Sequence, residues 1–149
     1  MEMTMQIPVT PNRSEQVELL DGFLRRELAA EAAYQKAREH LRDPDAQVAA
    51  NRNRASHAGR AVVLARAIRE RDAEPSSGAG PWGTVAALVE AGAASLGDDA
   101  LVRALYEGER VVTQGYLLHE DDPSAPTDLL DRLVGEQRQT EVRVEGLCD

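Results

Sequence analysis

The chain has 149 residues, of which 42% are hydrophobic and only 3% aromatic, and it carries a formal net charge of −9. This length favours one domain with a single core, and the excess of carboxylates repels phosphate, so nucleic acid is not an expected partner. No stretch approaches the roughly 20 apolar residues of a membrane span, and Cys148 as the only cysteine excludes an internal disulfide, so we expect no membrane partner and a reducing, cytoplasmic location.

The N-terminal arm, residues 1–13, contains two prolines that disfavour a helix, so we expect a flexible or docked arm. Apolar residues at three- and four-residue spacing then predict a first long helix over about 15–42. Asp43 and Pro44 end this helix and begin a second one over about 44–72, because proline suits the first helical position and disfavours helical geometry in the residue before it. With so short a connection, these two helices must be antiparallel neighbours.

A stretch rich in proline, glycine and serine predicts the next connection. It leads into a short helix over about 82–96, which is anchored by Trp82 and packed across the long helices. Two further long helices are predicted over about 99–119 and 126–147. Because strand patterns are close to absent, the predicted fold class is all-α, a four-helix bundle over 14–147 with a long crossover between the second and third long helices.

Each predicted long helix places an ionisable residue near its apolar side, about halfway along. On the first helix, Glu31 is predicted to lie on the inner side and Glu27 at its edge. A buried carboxylate without a partner is costly, so several together must pair or bind something. Carboxylates and histidine inside a bundle are the ligands of non-haem iron and manganese sites. The candidate metal ligands are Glu27, Glu31, His57, Glu109 and Glu141.

Two segments carry a family resemblance. LLDGFLRRELAAEAAYQKAREHL resembles the first helix of an uncharacterised bacterial ferritin-like family, with Glu31 and Tyr34 at the matching positions. EGERVVTQGY is similar to the third long helix of that family, where Gly-Glu is followed by Tyr seven residues on, and here Glu109 and Tyr116 match. The resemblance covers about residues 16–147 and implies a ferritin-like four-helix bundle.

The chain departs from carboxylate-bridged ferritins at the metal-ligand positions of the second and fourth helices. Carboxylate-bridged ferritins carry Glu-x-x-His on their second and fourth helices, whereas here Arg54 stands three residues before His57, and Arg138 three residues before Glu141. A permanent positive charge opposes a divalent cation at close range. The resemblance, with this departure, therefore implies that a functional di-iron centre is absent, and no cofactor is assigned. The carboxylates are expected to be neutralised in an interior polar network of Arg54, Glu31, Glu109, Gln137 and Arg138.

Three functions remain open on this basis. The favoured one is a non-enzymatic, ferritin-like bundle that acts as a structural or interaction module and self-associates, with a homodimer favoured. The second is an iron- or manganese-binding or oxidative-stress protein that uses the candidate metal ligands. The third is a small-molecule or lipid binder near Trp82, Tyr106 and Tyr116. No catalytic residue is assigned, because the sequence has no nucleophile motif and no phosphate-binding glycine loop.

Overall fold

The computed structural model describes residues 12–78 and 97–148 of the chain. Within these ranges the chain forms four α-helices and no strand: α1 (Arg13–His40), α2 (Pro44–Arg69), α3 (Gly97–Leu117) and α4 (Thr127–Glu145). The prediction of an all-α fold is therefore confirmed for this part of the chain. The predicted arm lies outside the described residues as far as position 11, and the predicted short helix over 82–96 lies outside them entirely.

The turn between α1 and α2 fixes the ends of three helices. The Asp43 side chain caps α2 by accepting a hydrogen bond from a backbone N–H at 3.1 Å, and Pro44 begins the helix. The carboxylate of Asp98, in the first turn of α3, accepts hydrogen bonds from the backbone N–H groups of Arg42 and Asp43, at 3.0 and 2.7 Å. The beginning of α3 therefore lies at the end of the molecule where α1 ends.

The other end of α2 lies beside the first half of α1. There the backbone N–H and the hydroxyl of Ser76 donate hydrogen bonds to the carboxylate of Asp21, at 2.8 and 2.6 Å. Consequently α2 and α3 point in the same direction, and the end of α2 and the beginning of α3 lie at opposite ends of the molecule. Since α1 and α4 each pack against both α2 and α3, the four helices form a bundle.

Apolar side chains fill the bundle in two clusters, one toward each end. The cluster near the α1–α2 turn includes Leu101 and Leu105 of α3, and the other includes Leu24, Leu64 and Leu133. The layer between them is polar and forms the candidate site. None of the helices in the described ranges has the length and apolar content of a bilayer-spanning segment.

Candidate functional site

The middle of the bundle is occupied by buried polar side chains, which come from all four helices. In the described part of the chain the buried polar residues are Glu27, Asn53, His57, Arg60, Glu109, Thr113, Gln137 and Thr140. All except Thr113 are 0% exposed. We call the four charged residues, Glu27, His57, Arg60 and Glu109, the central cluster.

The helical period brings these side chains to the interior. On α2, His57, Arg60 and Leu64 follow one another at three- and four-residue spacing, so they share the inner side of the helix. On α3, Glu109 and Val112 share the inner side in the same way. The polar residues thus occupy positions of the apolar stripe, and each of them must find its partners inside the protein.

His57 lies between two carboxylates. Its Nδ1 is 2.6 Å from Oε2 of Glu27, and its Nε2 is 2.6 Å from Oε1 of Glu109. Burial alone would lower the pKa of His57, but the carboxylates of Glu109 and Glu27, through their charge and these hydrogen bonds, raise it to about 9. The ring is therefore an imidazolium at neutral pH and donates one hydrogen bond to each carboxylate. The guanidinium Nη of Arg60, 3.0 Å from Nδ1, is then a neighbouring cation and not a donor to the ring.

Arg60 supplies the second positive charge of the central cluster. Its Nε donates to Oε1 of Glu27 at 2.9 Å, one Nη donates to Oε1 of Gln137 at 2.8 Å, and the other donates to the hydroxyl of Ser56 at 2.5 Å. Burial would raise the pKa of Glu27, but the positive charges of His57 and Arg60 hold it below its usual value. Two cations and two carboxylates leave the central cluster with no net charge.

Two buried tyrosines complete the hydrogen bonding of the carboxylates. The hydroxyl of Tyr116 donates to Oε1 of Glu27 at 2.6 Å, and that of Tyr34 donates to Oε1 of Glu109 at 2.8 Å. Burial, and then the adjacent carboxylates, raise the pKa of both tyrosines well above the usual value, so both remain protonated donors. Gln137 donates to the remaining oxygen, Oε2 of Glu109, at 2.6 Å. Every carboxylate oxygen of the central cluster therefore accepts a hydrogen bond from the protein.

The glutamates and tyrosines of α1 and α3 form a repeated arrangement. Glu27 precedes Tyr34 by seven residues, and Glu109 precedes Tyr116 by the same number. Because α1 and α3 are antiparallel neighbours, each tyrosine reaches the glutamate of the opposite helix. This shared spacing is the signal in the sequence that would have identified Glu27 as the buried glutamate of α1.

The structure brings three of the five predicted metal ligands together: Glu27, His57 and Glu109. The prediction that Glu31 lies on the inner side of α1 and Glu27 at the edge was wrong, since Glu27 is 0% exposed and Glu31 is half-buried. The buried stripe of α1 continues from Glu27 to Ala30 instead of Glu31. Glu141 is also half-buried, and it accepts a hydrogen bond from the hydroxyl of Thr113 at 3.0 Å.

The predicted interior network contained the wrong arginines. Arg138 is exposed, and Arg54 is half-buried with its Nε buried and lacking a hydrogen-bond partner among the described residues. Arg60, which was not among the predicted residues, occupies the interior instead, because the inner side of α2 passes through residue 60 and not residue 54. Glu109 and Gln137, two further members of the predicted network, are buried, and Gln137 donates a hydrogen bond to Glu109.

The donor set of the central cluster does not fit a carboxylate-bridged metal centre. Both ring nitrogens of His57 face carboxylates, and the fixed positive charge of Arg60 lies 2.9 Å from Glu27. A divalent cation would have to displace these bonds and lie beside that guanidinium. Across residues 12–78 and 97–148, no group of three or more His, Cys, Asp or Glu side chains is arranged to hold a metal ion.

Of the three aromatic residues predicted to line a small-molecule site, the two that the structure describes, Tyr106 and Tyr116, do not converge. Tyr106 packs against the apolar cluster near the α1–α2 turn, whereas Tyr116 belongs to the other cluster and donates to Glu27. Trp82 lies outside the described residues. Two surface grooves, of about 540 and 430 Å³, are lined by residues near the end of the bundle where α2 ends, and neither is lined by a residue of the central cluster.

Comparison of the chain with protein-family models, with curated proteins and with solved structures finds no match.

Proposed function

We propose that this protein is a ferritin-like four-helix bundle in which an ion-pair network stands in place of a di-iron centre. In this proposal the protein acts as a structural or interaction module and not as an enzyme. The central cluster fixes the register of the four helices, and the outer sides of the helices provide the working surface. Buried ionic networks are best attested in such a register-setting role.

One observation carries this proposal: all four carboxylate oxygens of Glu27 and Glu109 accept hydrogen bonds from donors of the protein itself. A site prepared for a metal keeps lone pairs available to the ion, and its second shell orients the ligands without occupying them. Here the lone pairs point at an imidazolium, a guanidinium, two hydroxyls and an amide. The negative charge is already neutralised, so a metal has little electrostatic advantage to offer.

The test is elemental analysis of the full chain, produced in medium supplemented with iron and manganese and purified without chelators. We expect far less than one metal ion per chain, and no oxidation of added ferrous iron above the rate in buffer. A stoichiometric content of iron or manganese that is lost in Glu27→Ala, but retained in the control Glu31→Ala, would contradict the proposal. The control is matched because Glu31 is on the same helix and only half-buried.

A metal-binding role is the second candidate, and one observation favours it. Glu27, His57 and Glu109 come from three different helices into the interior, where each ring nitrogen of His57 lies 2.6 Å from one of the two carboxylates. Release of one ring proton and movement of Arg60 would leave two carboxylates and a neutral imidazole, a ligand combination suited to iron or manganese. The same elemental analysis distinguishes the two candidates, because only this one predicts stoichiometric metal.

A further inference from the structure

The helix α2 is basic although the chain as a whole is acidic. The helix contains five arginines and one acidic residue, Asp45 in its first turn, whereas the whole chain has 17 basic and 26 acidic residues. Arg60 is used inside the bundle, but Arg52, Arg66 and Arg69 are exposed. None of these three makes an ion pair with a carboxylate within the parts of the chain that the structure describes. The positive charge of α2 is therefore presented to the outside.

Between these arginines the outer side of α2 is apolar or small. Val48, Ala55, Gly59 and Val62 follow one another at seven-, four- and three-residue spacing, so they form one line along the helix. The two valines are 51% and 61% exposed, although both are large hydrophobic side chains. We call the line of Val48, Arg52, Ala55, Gly59, Val62 and Arg66 the outer face of α2.

Gly59 is not explained by packing inside the bundle. It lies within the helix, where glycine is less stable than alanine by roughly 1 kcal/mol. A Cβ atom added at this position would meet nothing within 4 Å, so no neighbour in the fold requires a glycine. A residue without a side chain does permit close approach of another backbone, and Gly59 lies midway between Arg52 and Arg66.

We propose that the outer face of α2 docks an acidic amphipathic helix of a partner protein. The apolar side of that helix would cross α2 at Gly59 and cover the exposed valines, and its carboxylates would pair with Arg52 and Arg66. The opposite side of α2 is held in the bundle by the central cluster, so the docking surface is already ordered before the partner binds. This inference rests on the proposed function, because it gives the interaction role a surface and a class of partner.

Charge decides between this occupant and the alternatives. If two copies of the chain paired through antiparallel α2 helices at Gly59, Arg52 of one copy would face Arg66 of its partner, because both lie seven residues from Gly59. Like charges would then meet at both sides of the crossing, which is unfavourable. A nucleic acid would offer phosphates to the arginines, but its backbone has no apolar side to cover the exposed Val48 and Val62. A short acidic amphipathic helix offers carboxylates to the arginines and apolar side chains to the exposed valines.

The experiment compares synthetic helical peptides with identical leucine and alanine positions, one with glutamate and one with lysine at the flanking positions. Binding of each peptide, and of a short DNA duplex, to the full chain is measured by fluorescence anisotropy at low and high salt. We expect the glutamate peptide alone to bind. Its affinity should fall by about tenfold or more in the double variant Arg52→Glu/Arg66→Glu and on raising the salt concentration. Gly59→Leu should weaken binding without a change of charge.

The matched control is Arg103→Glu/Arg138→Glu, which makes the same charge change at exposed arginines of α3 and α4. It should leave peptide binding unchanged, and circular dichroism should show that every variant folds. No binding, equal binding of both peptides, DNA binding, or insensitivity to the α2 variants would overturn the proposal. So would self-association of the chain that the α2 variants abolish, which would assign the face to a second copy. Failure here leaves the metal analysis unaffected, so the two proposals fail separately.

Discussion

At the scale of single residues, His57 and Arg60 supply the positive charge that balances the two buried carboxylates. Together they supply two positive charges to Glu27 and Glu109, and between them they bond to both carboxylates. One of these charges depends on a proton. The stability of the bundle is therefore linked to pH through His57.

We predict that stability falls as pH rises above neutrality. The folded-state pKa of His57, about 9, lies above the usual value of 6.5, so its contribution is fully present below about pH 6.5 and is lost as pH rises through 9. Two and a half pKa units correspond to about 3 kcal/mol. Glu27 acts in the opposite sense. Because its pKa in the folded protein is lowered, its contribution to stability is present above pH 4.5 and is lost as the pH falls.

The measurement is urea unfolding at a series of pH values, together with NMR of the His57 ring. A free energy of unfolding that stays constant between pH 6.5 and 9, or an imidazole that titrates near neutrality, would contradict this linkage.

The two glutamates of α1 provide a second prediction at this scale. Glu27→Gln leaves the buried charges of His57 and Arg60 with one carboxylate fewer, so we expect a loss of about 3 kcal/mol in the free energy of unfolding. Glu31→Gln changes a half-buried side chain outside the central cluster and should stay within about 0.5 kcal/mol of the wild type. Chemical denaturation of the two variants side by side measures the difference. Equal effects would mean that Glu27 is not the interior carboxylate.

At the scale of helices, the sequence predicted the four helices that the structure describes, but not which side of α1 and α2 faces the interior. Asp43 and Pro44 mark the α1–α2 turn unambiguously, because capping and proline geometry are local properties. The inner side of a helix is a property of its neighbours. Starting from Glu27, both Ala30 and Glu31 continue a helical stripe, and only the packing of α2 and α3 selects Ala30. On α2 the spacing is ambiguous in the same way, because residues 54 and 60 each lie three residues from His57. The spacing alone therefore does not show that Arg60 is the interior arginine.

Two exposed glycines should respond to alanine in opposite ways. Gly59 lies within α2 with open space around it, so Gly59→Ala should stabilise the protein by about 0.5–1 kcal/mol through helix propensity and a less flexible unfolded chain. Gly97 also has open space, but its φ of +82° is strained for any residue with a side chain. Gly97→Ala should therefore destabilise by about 1 kcal/mol. Thermal denaturation checks both, and a shift of the same sign in the two variants would refute the backbone explanation.

At the scale of the whole molecule, the polar layer connects parts of the bundle that the apolar clusters leave separate. Asn53 of α2 donates both to the hydroxyl of Tyr34 on α1 and to the backbone carbonyl of Thr140 on α4. Through Glu109, His57 and Glu27, the same network continues to Tyr116 on α3. One chain of hydrogen bonds thus joins the four helices between the two apolar clusters, so we expect them to unfold together.

A double-mutant cycle on the tyrosines tests this connection. Tyr34→Phe and Tyr116→Phe each remove one hydroxyl from a buried carboxylate, which should cost about 1–2 kcal/mol. Because bonds in a network strengthen one another, the second removal should cost less than the first, and the double variant should fall short of the sum by at least about 0.5 kcal/mol. Urea unfolding of the four proteins of the cycle gives the coupling.

Tyr106→Phe combined with Tyr116→Phe is the control, since these tyrosines pack against different apolar clusters and their effects should be additive. If Tyr34 and Tyr116 were additive as well, each carboxylate would act alone, and the polar layer would be two separate pairs instead of one network.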